Sequence, residues 1–423
     1  MVRARVSAWP QTDVMTRSIR LALPWAKPVV AVPPRFASWF ILLAVLLDMA
    51  GFGVSIAVLP SLIGSMTGGA SAGLINGAFV GIWAIVQFFA SPVLGALSDR
   101  FGRRPMMLIS AAGLGLDYIV MALAPNLWWL LLGRVISAVS SSSFSICYAY
   151  VADVTPEEKR AAAFGRLGAM FGLGFILGPA VGGLLGGISL RAPFWAAAGF
   201  SLANAVFGYL VLPESLPKEK RSPFAWAKAN PLGSLKLLRS HPDLAGLSLA
   251  HLLTQFAGAS IASVYVLYVM RRFGWTLEGV GLSLAFVGVV VALVQAFVQG
   301  RVTSRLGERN TVLLGAAAGG LSLVVFALTP VGWGMLLGIA IFGIWGLQGP
   351  ALMALMSRRV SETEQGQLQG AMASLTSVGD GVGPLLFGGI YSLTVGTFPG
   401  AAFLLASAVV AVSLLLIPRQ AGP

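Results

Sequence analysis

Four charged side chains stand inside stretches otherwise apolar enough to cross a bilayer: Asp48, Asp117, Arg134 and Asp380. A charge held in hydrocarbon is costly and generally marks a pathway for protons, ions or substrate. Asp48 sits in Leu47-Asp48-Met49-Ala50-Gly51-Phe52-Gly53 and Asp117 in Leu116-Asp117-Tyr118. A carboxylate so placed either takes up a proton or cation or hydrogen-bonds to an adjacent helix. For Asp48 proton coupling or cation binding is the favoured role, while for Asp117 substrate pathway, proton relay and packing stay open. Arg134, in Gly133-Arg134-Val135-Ile136-Ser137, keeps its charge at physiological pH and so requires a carboxylate. Asp48 is the expected acid, although one sequence does not fix the pairing. Such a pair ties protonation to movement, because neutralising the acid frees the arginine.

Two further groups of residues carry mechanical rather than acid–base meaning. The first is Gly95-Ala96-Leu97-Ser98-Asp99-Arg100-Phe101-Gly102-Arg103-Arg104-Pro105, squeezed between two membrane-length apolar runs. Gly95 and Gly102 allow a tight turn and close helix approach. Asp99 can hold a cation or a helix N-terminus, and Arg100, Arg103 and Arg104 fix the loop on one side of the bilayer. The second is Gly172 to Gly183, in which Gly174, Gly178 and Gly182 recur every four residues, with Gly183 alongside and Pro179 introducing a kink. Small residues at that spacing let helix backbones touch.

The elements that must position these groups follow from composition. The chain has 423 residues, 57% hydrophobic and 10% charged, against roughly a quarter charged in soluble domains. It is a polytopic all-α membrane protein. Apolar runs of about 20 residues predict twelve spans: 37–60, 72–97, 105–124, 127–153, 160–187, 192–212, 243–270, 276–302, 310–329, 332–357, 364–392 and 397–417. With the N-terminus inside, all but four of the 28 basic residues fall on the inner face. Arg191, Arg271 and Arg272 lie outside and Arg134 within a span. Both termini are therefore expected in the cytoplasm, and a net charge of +13 orients the protein rather than serving nucleic acid. The single cysteine, Cys147, allows no internal disulfide.

Four regions are expected: a basic cytoplasmic tail over 1–36 without a signal-cleavage site, a six-helix bundle over 37–214, a basic cytoplasmic loop over 215–242, and a second six-helix bundle over 243–418. Residues 224–240 read as an amphipathic helix on the membrane surface, and Met15 is an alternative start. A duplication supports the division. The shift that carries Gly95, Arg100, Gly102 and Arg104 onto Gly300, Arg305, Gly307 and Arg309 also carries Gly174, Gly178, Pro179 and Gly183 onto Gly379, Gly383, Pro384 and Gly388. Two pseudo-symmetric bundles that rock about a midplane site follow.

No metal-ligand cluster, catalytic triad or phosphate-binding loop is present, so no enzyme chemistry, metal site or cofactor is expected, and an ion gradient is left as the energy source. Asn76, Gln87, Asn204, Gln255 and Gln348 read first as helix–helix hydrogen bonds, and His251 receives no role in the site.

The loop Ser98 to Pro105 resembles the hallmark loop of the major facilitator superfamily of transporters, and the glycine motif resembles the one that marks its proton-exchanging exporters. A narrower resemblance, to the tetracycline:proton antiporters, runs from about residue 37 to the last span. It rests on Leu47-Asp48 through Pro60, Leu116-Asp117-Tyr118, Leu132-Gly133-Arg134 and Phe171 through Gly183. It continues through Arg272-Phe273-Gly274-Trp275, Gln295-Ala296-Phe297-Val298 and Gly383 through Phe387. The resemblance implies a multi-pass exporter of the bacterial inner membrane. Asp48 and Asp117 would handle substrate and protons, Asp99 and Arg103 would act in the gating loop, and Gln295 would lie on the substrate path. The cargo would be a tetracycline carried as a magnesium chelate, with another amphipathic drug or metabolite as the alternative and a proton-coupled nutrient importer behind it. Partners would be that substrate, protons and lipid, without an obligatory protein partner. Three positions depart from the pattern. The antiporters' ninth-span aspartate is Gly319 here, and the histidine that some members carry on the eighth span is Val291. Asp380 stands where they have glycine, and the expectation is that it takes over part of the missing carboxylate's duty.

Overall fold

The computed structural model describes residues 34–67, 71–141, 144–222, 241, 244–361 and 364–417. Most of the tail, the expected surface helix over 224–240 and residues 418–423 lie outside them. Among the described residues fourteen α-helices follow in order. The first half contains α1 (Pro34–Thr67), α2 (Ala72–Phe101), α3 (Arg103–Leu123), α4 (Leu127–Ser140), α5 (Phe144–Val154), α6 (Glu157–Ile188) and α7 (Ala192–Val211). The second contains α8 (Ala245–Phe273), α9 (Leu277–Leu293), α10 (Gln299–Leu328), α11 (Trp333–Trp345), α12 (Gln348–Ser357), α13 (Gln365–Thr394) and α14 (Ala401–Leu415). The pairs α4–α5 and α11–α12 each make one crossing, and a break at Gly307 divides α9–α10 into two. Twelve crossings result, in two bundles of six.

Three boundaries differ from the sequence expectation. The first span runs through Pro60 to Thr67: proline forfeits one backbone hydrogen bond, and the apolar residues around it keep the helix packed. The fourth and tenth spans are each two helices rather than one. Their breaks fall at equivalent places, since the shift that relates the halves carries Ser140 at the end of α4 onto Trp345 at the end of α11. Near the first break the Ser141 hydroxyl donates to the Ser137 carbonyl at 2.7 Å, a local bond that competes with regular helix. The turns at Gly102 (φ 108°) and Gly307 (φ 75°) are also equivalent. Both require a left-handed backbone that only glycine adopts without strain, so the duplication survives at single-residue resolution.

Among the described residues the bundles share a core toward one end only. The face carrying the Gly102 and Gly307 turns is the motif face, and the opposite end is the far face. Toward the far face one apolar core contains side chains of both bundles, including Leu62, Phe79 and Met121 with Tyr265, Phe326 and Phe387. Toward the motif face the core splits into two. Phe40, Leu94, Met106 and Tyr150 belong to the first bundle, and Leu247, Val312, Leu352 and Met372 to the second. Lipid tails are as apolar as leucine, so helix association depends on close packing and hydrogen bonds. Gly183 lies against Gly281 and Leu277, and Gly388 against Gly73 and Gly77, each across the bundle interface. Asn76 donates to the Ser263 carbonyl at 2.8 Å and the Leu74 amide to the Ser392 hydroxyl at 2.9 Å, both also between bundles. On the motif-face halves Gly95, Gly165, Gly168, Gly172 and Gly300 meet no described atom within 4 Å of an added methyl. A cleft therefore opens on the motif face.

Candidate functional site

The antiparallel pair α3 and α4 places Asp117 beside Arg134. Both are buried, at 0% and 3% exposure. Two glycines make room for the triplet Leu116-Asp117-Tyr118. A methyl on Gly133 would come within 2.9 Å of Asp117 Oδ1, and one on Gly51 within 2.8 Å of the Tyr118 ring carbon Cζ. The electrostatic partner of Arg134 is thus Asp117 on the neighbouring helix, not Asp48 as the sequence suggested. The reason is depth. Asp48 lies about one turn further from the far face than Gly51, the residue that Tyr118 touches, and its field falls on Tyr118 and Cys147. Ser137, one turn along α4, is the other polar group that acts on Asp117, and Arg134 Nε donates no hydrogen bond. The guanidinium instead stacks 5.3 Å from the centre of the Trp83 ring, a contact that favours arginine over lysine.

Arg134 lines a cavity of about 220 Å³ between the bundles. Phe52, Asn76, Trp83 and Phe175 stand in the first-bundle wall with it, and Asp380 and Pro384 in the second. Asp380 and Phe175 are equivalent under the repeat, so a carboxylate replaces an aromatic ring at one of two symmetric positions. Asp380 also lines a second cavity of about 400 Å³, with His251, Thr254, Gln255, Gln295, Trp345 and Gln348. Gln295 belongs to a π-helical turn, Val294–Val298, an irregularity common at functional sites. Asn76 spans the bundle interface, and Gln348 donates to Thr254 at 2.9 Å, as expected of helix–helix bonds. Gln255 faces the cavity.

The structure explains Gly319. A methyl there would stand within 2.7 Å of the Trp345 indole. That indole donates to Gln348 Oε1 at 2.7 Å and forms part of the cavity wall. Trp345 therefore screens position 319 from the cavity, whereas Asp380 faces it directly. Sequence reasoning passed over two residues of this wall. Trp345 carried no signal, being one of 11 tryptophans in an apolar chain. His251 did, as a titratable group inside a span.

The loop residues form one network. Arg103 bonds Asp99 at 2.5 Å, Asp153 at the end of α5 at 3.3 Å and Ser98 Oγ at 2.6 Å. Glu214 rather than Asp99 caps α3, accepting the Arg103 amide at 2.8 Å, where a carboxylate suits the helix dipole. A side chain at Gly102 would collide with that same carboxylate. Arg104 donates to the Tyr209 carbonyl at 2.7 Å, and Arg100 is exposed, lying over the Phe101 ring.

The second bundle repeats this pair with its charges exchanged. The shift between halves carries Arg103 onto Glu308 and Asp153 onto Arg358, and Arg358 bonds Glu308 at 2.6 Å. Geometry is retained where residue type is not. Arg358 is exposed, so the pair is worth at most about 1 kcal/mol. Arg358→Glu should slow transport by no more than about fivefold on that account, and adding Glu308→Arg should restore it in a vesicle flux assay. A double variant no better than Arg358→Glu would show that orientation within the pair matters beyond its attraction.

The glycine motif of α6 works on two sides. Gly174, Gly178 and Gly182 bring α6 against the backbone of α1 at Leu46, Ala50 and Val54, while Gly183 faces α9 in the other bundle. Gly379, Gly383 and Gly388 repeat this arrangement on α13, against α8 and α2. One face thus fixes a bundle internally and the other forms the seam on which the bundles part.

The pattern that defines the Major Facilitator Superfamily matches residues 41–250 and again residues 247–423. The chain belongs to the major facilitator superfamily. Within it the chain is 39% identical over 381 residues to the class C tetracycline resistance protein of Escherichia coli, covering 90% of this chain and 96% of that protein. It is also 39% identical to the class G tetracycline resistance protein of Vibrio anguillarum, covering 89% and 96%. Solved superfamily structures share the fold. The nucleoside transporter NupG superposes with a TM-score of 0.74 at 14% identity, over 91% of this chain and all of that one. The human organic anion transporter MFSD10 does so with 0.68 at 24% identity, again over 91% of this chain.

Proposed function

We propose that this membrane protein exports tetracycline in exchange for protons, by alternating access, across the inner membrane of a bacterium. The observation that carries the reading is the cavity at the bundle interface to which one bundle contributes Arg134 and the other Asp380. The identity with tetracycline resistance proteins supports the substrate. The distribution of basic residues favours both termini, and hence the motif face, in the cytoplasm. The open cleft then receives drug from inside, and the Gly73–Gly388 and Gly183–Gly281 seams close the outer end.

In this reading the Asp117–Arg134 pair and Asp48 respond to proton entry in the first bundle, and Asp380 does so in the second. A carboxylate that gains a proton releases the positive charge or donor it held, which changes the relative energy of the two bundle arrangements. The aromatic wall of Phe52, Trp83 and Phe175 receives the flat apolar part of the drug, and Gln255 and Gln295 its oxygens. Magnesium enters as part of the cargo, and the protein needs no resident cofactor, covalent step or obligatory protein partner.

The test uses inside-out vesicles energised to an acid interior, with tetracycline and magnesium added and internal pH followed. Drug-dependent proton release is expected, and Asp380→Asn at normal membrane levels should lower it about tenfold or more, each tenfold being about 1.4 kcal/mol of barrier. Unimpaired release in Asp380→Asn would end the role of that carboxylate. Release with other amphipathic drugs but never with tetracycline would move the substrate and leave the antiport reading standing.

A further inference from the structure

The second cavity contains a titratable group that the exchange cycle above does not use. His251 lies on α8, in its motif-face half, and its Nε2 is 2.9 Å from Thr376 Oγ1 on α13. Thr376 is one turn before Asp380 on the same helix, so the two project from one side of α13. His251 and Asp380 line the same cavity wall. The ring also faces the backbone carbonyl of Met372. A ring that donates to that carbonyl leaves its Nε2 as an acceptor for the threonine hydroxyl.

We propose that His251 is the proton-release residue of the second bundle, relaying the proton of Asp380 to water on the motif face; this rests on the reading that Asp380 carries a proton. The Asp380 carboxyl gives its proton, through the Thr376 hydroxyl or cavity water, to the lone pair of His251 Nε2. The imidazolium then gives a proton to water in the open cleft and returns to the neutral ring. No electron transfer is involved, and charge balances at each step. Asp380 is the charged group that shares this wall. Among the described residues α12 and α14 contribute no charged residue. Helix α9 contributes Glu278 at its far-face end, and α2 contributes Asp99 and Arg100 at its motif-face end. Asp48 on α1 acts on Tyr118 and Cys147 in the first bundle. Arg35 lies in the first turn of α1, Arg271 and Arg272 close α8 at the far face, and the His241–Glu364 pair, 3.7 Å apart, stands at the motif-face ends of α8 and α13, so Asp380 is the charged group of the cavity itself. Lacking an ionisable side chain at position 319, the second bundle has this acid–imidazole couple in its place.

The experiment uses the full chain in liposomes, with tetracycline and magnesium as the probe. His251→Gln retains a hydrogen-bonding group for Thr376 but cannot titrate, and His251→Asn guards against a packing artefact. Both should lower proton-driven uptake roughly tenfold, less than the about hundredfold or more of a lost acid–base group in a chemical step, because water in the open cleft partly replaces a relay. The pH dependence of uptake between about pH 5 and 8 should flatten. Exchange of labelled for unlabelled drug without a gradient should stay within about twofold, since it needs no net proton release. Wild-type uptake and pH profile in His251→Gln, or loss of drug exchange to the same extent as uptake, would overturn the proposal. Asp380→Asn measured in parallel separates the two ideas. If it is impaired while His251→Gln is not, the relay alone fails; if it is unimpaired, the underlying role of Asp380 fails.

Discussion

Arg134→Gln is expected to lower drug-dependent proton flux by roughly a hundredfold, about 2.7 kcal/mol of barrier, and to destabilise the protein as well. Asp117 is fully buried, and the guanidinium is its main electrostatic counterweight, ahead of the Ser137 side chain. Removing one member of a buried pair costs about 3–5 kcal/mol, because the other charge is left uncompensated. Thermal unfolding in detergent would show this as a clear drop in Tm. The double variant Asp117→Asn/Arg134→Gln has no stranded charge and should recover most of the stability. It should not recover transport, since neither group can then report a proton. A double variant that transports would show that the pair is scaffolding. Arg134→Lys should fall between, because an ammonium loses the planar stacking on Trp83.

Gly319→Asp should fail as a restoration of the antiporters' ninth-span acid. The Trp345 indole occupies the space that the new side chain needs, and it is held there by Gln348, which is itself bonded to Thr254. Overpacking costs about 1–3 kcal/mol, and a carboxylate pressed against an indole without a partner adds a desolvation penalty. Reduced membrane levels and Tm, with proton flux below wild type, are the expected outcome. Gly319→Asp/Trp345→Ala removes the obstruction and should regain part of both. Flux above wild type in Gly319→Asp alone would mean that the indole yields, and that Asp380 is not the only acid this bundle can use.

The sequence by itself determined the class of the protein, its twelve crossings, its duplication and its family. Each rests on a signal that survives without coordinates. A membrane crossing needs about 20 apolar residues, the repeat leaves glycines and arginines in matching order, and the loop motif has little freedom because a left-handed backbone at Gly102 and Gly307 admits only glycine. The small-residue spacing in α6 was legible for the same reason, since backbones touch only where side chains are absent.

Tertiary structure decided which of these residues meet. Arg134 answers to Asp117 rather than Asp48, Asp380 reaches both cavities, Trp345 takes the place of the missing acid, and His251 stands beside Asp380 on one wall. In a soluble helix the boundary between apolar and polar faces tells which side points inward. A membrane helix is apolar toward lipid and toward its neighbours alike, so its rotation and depth leave little trace in the sequence. The exchanged pair Arg103–Asp153 and Glu308–Arg358 was hidden for a related reason: attraction is unchanged when both charges reverse, so the contact persists while the letters do not.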